Sequence, residues 1–135
     1  MISIIYGAKG SGKTKQLLSA ANDSLKIAKG DVVYITENNQ HTREVNNKIR
    51  YVDCSDFSII GQDAIINFVK GMLAANHDIE YVFVDALKRI TKSKLDEMQS
   101  LFENFEIISK NTGCNFTFTI SADLEGIPDF IKKYI

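Results

Sequence analysis

Short, nearly continuous apolar runs alternate along the chain with longer segments in which apolar residues recur every three or four positions. The stretches Ile2 to Tyr6, Asp31 to Thr36, Tyr81 to Val84 and Asn115 to Ile120 are rich in β-branched and aromatic residues and read as strands. A shorter strand is predicted over Ile49 to Cys54, closed by a turn at Ser55 to Ser58. Between them, Leu17, Leu18, Ala21, Leu25 and Ala28 mark a helix from Lys13 to Lys29 that stops at Gly30. Ile65, Ile66, Phe68, Val69, Met72 and Leu73 mark a second over 62–76, with Asp63 in its first turn. Leu95, Met98, Leu101, Phe102, Phe105 and Ile108 mark a third over 93–112, opened by a Ser93/Asp96 capping box and stopped by Gly113. Residues 38–48 are polar apart from Val45 and read as a surface loop or short helix; a short terminal helix is expected over 128–135.

Strands whose apolar residues are continuous are covered on both faces, and strands that alternate with helices are joined by right-handed crossovers. The expected fold is therefore a three-layer α/β/α domain with a mainly parallel five-stranded sheet, spanning 1–135 as a single unit. Ligands of such sheets bind beyond the carboxyl ends of the strands.

The chain has 135 residues, and a hydrophobic fraction of 44% with 24% charged residues is that of an ordinary globular protein. Its formal net charge of −1 gives no global attraction to nucleic acid or anionic lipid. No apolar run has the length of a membrane span, and the N-terminal apolar residues belong to a strand rather than a signal peptide, so a cytoplasmic location is expected. Cys54 and Cys114 are far apart, as for two reduced, buried thiols, and neither they nor His41 and His77 stand at zinc-ligand spacing.

The chemistry concentrates at strand ends. Directly after the first strand comes Gly7-Ala8-Lys9-Gly10-Ser11-Gly12-Lys13-Thr14, a full G-x-x-x-x-G-K-[ST] pattern. Glycines let successive amides close on phosphate oxygens, the lysine reaches the outer phosphates, and the hydroxyl suits a magnesium ion. The apolar strand 81–84 ends in Asp85, where a carboxylate can hold magnesium directly or through water; capping of the next helix is the plainer role. Glu37 closes the second strand, and Ser121 and Asp123 follow the fifth. The run Lys88 to Lys94 is a solvated loop or an anion contact.

On Gly7, Gly12, Lys13, Thr14 and Tyr81 to Asp85 the chain resembles the P-loop NTPases, with the first motif as Walker A and the second as Walker B. Within them it is most similar to RecA-like and thymidine-kinase-like ATP-binding cores, and to short bacterial ATP-binding proteins. The resemblance implies ATP and Mg2+ as ligands: Gly7 to Thr14, with Ser121 as a polar sensor, on the nucleotide; Thr14 and Asp85 on the metal; Lys13 and Glu37 in catalysis. It also implies that strand 116–120 lies between strands 2–6 and 81–85.

The departures are Ala86, where many RecA-like ATPases carry a catalytic glutamate, and Ala8, where partition ATPases carry a lysine. Glu37 is the substitute carboxylate. The cysteine cluster and lasso of thymidine kinases have no counterpart, and Arg43, Arg50 and Arg89 are the only arginines a kinase lid could use. The expectation is a nucleotide-binding protein with weak Mg-dependent ATP hydrolysis, a hydrolase; the alternatives are a nucleotide-responsive regulatory module with negligible turnover and a small-molecule kinase. A protein partner or homo-oligomer is compatible with either, and a nucleic-acid or membrane partner is not expected.

Overall fold

In the computed structural model, which describes residues 1–123 and 125–135, the apolar runs form β1 (Ile2–Gly7), β2 (Asp31–Thr36), β3 (Arg50–Asp53), β4 (Ile79–Val84) and β5 (Asn115–Ser121). Every pairing among them is parallel, and the strand order is β1-β5-β4-β2-β3. The last strand in sequence thus lies between β1 and β4, as the resemblance implied. The helices are α1 (Lys13–Ser24), α2 (Gln62–Ala75), α3 (Leu87–Thr91), α4 (Gln99–Thr112) and α5 (Asp129–Lys132).

Alternate residues of each strand face opposite layers. Val33, Ile35, Val82, Val84, Phe116, Phe118 and Ile120 pack with Ile65, Val69, Leu101, Phe102 and Phe105 of α2 and α4 in the larger core. Aromatic rings knit that layer, with Phe105 edge-on to Phe116 and Phe118 at centroid distances of 5.1 and 5.0 Å. Val32, Tyr34 and Phe83 face the other way, onto Leu17, Leu18 and Ala21 of α1 and onto Val45 and Ile49. Among the described residues α1 is the one helix in that layer, and the segment from 38 to Ile49 supplies further cover through Val45 and Ile49. Asn22 fastens it, donating to the Glu44 carbonyl at 2.9 Å and accepting from the Asn46 amide at 2.9 Å.

Three boundaries differ from the sequence expectation. Helix α1 ends at Ser24 rather than Lys29: the Ser24 hydroxyl donates to the Ala21 carbonyl at 2.6 Å, and the chain turns there, leaving Ile27 exposed. The helix expected from Ser93 starts at Gln99, because Gln62 of α2 donates to Ser93 Oγ at 2.9 Å and to the Glu97 carbonyl at 3.0 Å and holds the intervening segment in a separate turn. The Ser93/Asp96 box does not form; the Glu97 carboxylate accepts the Lys94 amide instead, at 2.8 Å. Finally, part of the basic run is helical, as α3. Among the described residues no helix is long and apolar enough to cross a membrane.

Candidate functional site

The turn from β1 into α1 is made possible by Gly10 and Gly12, whose φ angles of 80° and 86° lie in the left-handed region. At Gly7 a Cβ would come within 2.7 Å of Ser11 Oγ, so a side chain there would require the serine hydroxyl to turn away. The first turn of α1, whose amides have no partner within the helix, borders a cavity of about 410 Å³. Lys13 bends back across the loop. Its ammonium donates to the Ala8 carbonyl at 2.7 Å and to Ser11 Oγ at 3.4 Å. Burial pulls the Lys13 ammonium below the usual lysine range; Asp85 draws it partly back and Arg89 pushes it further down.

The opposite wall is built by the neighbouring strand ends. Asp85, directly after β4, is buried and doubly held: Thr14 Oγ1 donates to Oδ2 at 3.0 Å, and Thr119 Oγ1 donates to Oδ1 at 2.6 Å. Thr119 in turn accepts the Ala86 amide at 2.8 Å. Ala86, with φ 61° and ψ 49°, occupies the left-handed region without being glycine, and the bond to Thr119 holds it there. The reversal of the chain at Ala86 turns α3 so that Lys88 and Arg89 line the cavity. Arg89 pairs with Glu37, Nη1 to Oε1 at 2.9 Å, and Lys88 donates to the Ser121 carbonyl at 3.3 Å.

Of the residues singled out in the sequence, Lys9, Gly10, Gly12, Lys13, Thr14, Glu37, Asp85 and Ser121 line this one cavity. Gly7 lies in β1 opposite Ser121 of β5, and Ala8 and Ser11 serve the loop through their contacts with Lys13. Asp123 accepts the Tyr6 hydroxyl through its carbonyl at 2.8 Å. Several wall residues were not singled out in the sequence as site residues: Asn38, Gln40 and His41 from the segment after β2, and two threonines on strands. Thr119 is one, and Thr36, which lines the cavity from the end of β2, is the other. Strand-end position is the signal they share.

Electrostatically the cavity differs from the chain as a whole. Lys9, Lys13, Lys88 and Arg89 face it against the two carboxylates Glu37 and Asp85, in a chain whose formal net charge is −1. Such a surplus of cations around free helix amides suits a polyanion. No protein-family model matches the chain, and no curated protein matches it at a significant level.

Proposed function

We propose that the chain binds ATP together with magnesium in this cavity and hydrolyses it slowly. The observation that carries the reading is the 3.0 Å bond between Thr14 Oγ1 and Asp85 Oδ2, which sets a hydroxyl and a carboxylate in the cavity that Lys13 lines. Oxygen donors of this kind fit a hard divalent cation. Magnesium, when bound between Thr14 and Asp85, would offset phosphate charge and polarise the terminal phosphoryl group.

The chain's own residues do the rest. Amides of the loop and the start of α1 hold the phosphates, and Lys13 exchanges its bonds to Ala8 and Ser11 for the outer phosphate oxygens. In the hydrolytic step a water oxygen forms a bond to the terminal phosphorus as the bond from that phosphorus to the bridging oxygen breaks. The bonding pair leaves on the ADP oxygen, and Glu37 takes the proton of the water before passing it to solvent. Turnover is slow in this reading because Glu37 is shared with Arg89 and Ala86 supplies no second carboxylate. The same two observations favour the regulatory module, in which the bound nucleotide itself is the output.

Calorimetric titration with ATP and magnesium tests the reading. Saturable binding that Lys13→Ala abolishes is expected; heat independent of Lys13, or none, overturns it. Phosphate release measured alongside separates the two variants, since a rate that Glu37→Gln leaves unchanged removes the hydrolytic one.

A further inference from the structure

Four cationic side chains face the cavity, and three have a conventional place: Lys13 in the loop, Lys9 at its rim and Lys88 on the Ser121 carbonyl. The fourth, Arg89, is spent on Glu37, the carboxylate that the proposed chemistry requires to be free. Both side chains are open to water, Arg89 at 61% and Glu37 at 30% exposure. An ion pair so exposed is weakly held. Its guanidinium is nonetheless well placed: the Arg89 amide bonds to the Ala86 carbonyl at 3.0 Å, the Ala86 amide bonds to Thr119, and Thr119 bonds to Asp85. A short chain of bonds thus ties the backbone bearing Arg89 to the carboxylate proposed to hold the metal. Arg89 is also close enough to Lys13 to disfavour that ammonium's charge, so the two cations address the same volume.

We propose that Arg89 is the residue that distinguishes a nucleoside triphosphate from a diphosphate, its pair with Glu37 being exchanged for one with the terminal phosphate. The inference rests on the ATP-binding reading above and adds to it a switch. A terminal phosphate offers the guanidinium two oxygens in fork geometry and more charge than one carboxylate. Once Arg89 has moved, Glu37 stands free over the cavity. The diphosphate lacks the oxygens that compete for Arg89, so the Glu37–Arg89 pair persists with it. Nucleotide state is thereby written in the Glu37–Arg89 pair at the cavity.

The test is to measure dissociation constants for ATP and for ADP, each with magnesium, on the wild-type chain and on Arg89→Ala, Arg89→Lys and Glu37→Gln. Arg89→Ala should weaken ATP about tenfold and ADP less than about twofold, in keeping with loss of one charge-assisted contact. Arg89→Lys should restore part of the difference, because a point charge cannot make the fork. Glu37→Gln should tighten ATP severalfold while leaving ADP unchanged, since the competing partner is gone. Equal effects of Arg89→Ala on both nucleotides, or none on either, overturn the switch while ATP binding stands. Absence of any wild-type binding overturns the binding reading and the switch with it.

Discussion

Thr119 of β5 and Asp85, directly after the neighbouring β4, share a 2.6 Å hydrogen bond in which the threonine hydroxyl donates and the carboxylate accepts. The same hydroxyl accepts the Ala86 amide, so a single side chain fixes both the orientation of the carboxylate and the reversal that launches α3. Thr119→Val keeps the shape and removes both bonds, leaving a buried carboxylate oxygen and a partly buried amide without this partner. The expected cost is about 1–3 kcal/mol of stability. Magnesium should also lose much of its effect on ATP affinity, and Thr119→Ser should recover most of both. Denaturant titration and paired binding measurements with and without magnesium check this; a Val variant as stable as the parent would show the bonds to be dispensable.

Lys13 presents the opposite balance. It is 8% exposed, and among the described residues no carboxylate lies within ion-pair distance of it. Burial already lowers its pKa, so the folded state holds the charge at a cost. Lys13→Met should therefore raise the thermal midpoint by about 2–4 °C while abolishing nucleotide binding, the expected trade at a site kept for function. A fall in the midpoint on scanning calorimetry would mean that the bonds to Ala8 and Ser11 outweigh the desolvation.

Alkaline sensitivity follows from the two free thiols. Burial, with smaller effects of nearby charges, pushes both Cys54 and Cys114 up to about 12. In the unfolded chain a thiol ionises near about 8.5. Between these values the folded chain holds more protons than the unfolded one, so the stability these groups contribute is fully present below about pH 8.5 and is lost as pH rises towards 12. Urea midpoints at pH 7.5, 9 and 10 should fall in that order, and the slope should flatten in a chain carrying Cys54→Val and Cys114→Val. A slope identical in the double variant would assign the effect elsewhere, with buried Tyr34, also raised above the usual tyrosine range, as the next group to examine.

The strands were legible because continuous β-branched and aromatic runs have few alternatives: β2 matches the expected 31–36, and the other strands differ by one or two residues at either end. The turn from Gly7 to Thr14 was legible as one unit because its glycines, lysine and threonine are adjacent in sequence. What escaped was whatever depends on pairing between distant segments. Thr117 and Thr119 look alike in the run Phe116 to Ile120, and only the insertion of β5 beside β4 singles out Thr119. Glu37 and Arg89 are 52 positions apart and meet because β2 lies next to β4, with Ile35 opposite Val84. The ends of α1 and α4 differ from the apolar spacing because Ser24 bonds a backbone carbonyl and Gln62 bonds both the Ser93 hydroxyl and the Glu97 carbonyl, a competition that the spacing does not register.

The position of β5 bears on the order in which the molecule comes together. β1 is formed first by the ribosome, yet its hydrogen-bonding neighbour is the strand made last, more than a hundred residues later. Until β5 arrives, β2, β3 and β4 can pair among themselves, but the loop bearing Lys13 and Thr14 has no sheet to join and stays apart from Asp85. Closing so long a span is slow. A chain interrupted before residue 115 would keep the complete stretch from Gly7 to Thr14 and still lack β5, and with it the wall that Thr119 and Ser121 give the cavity.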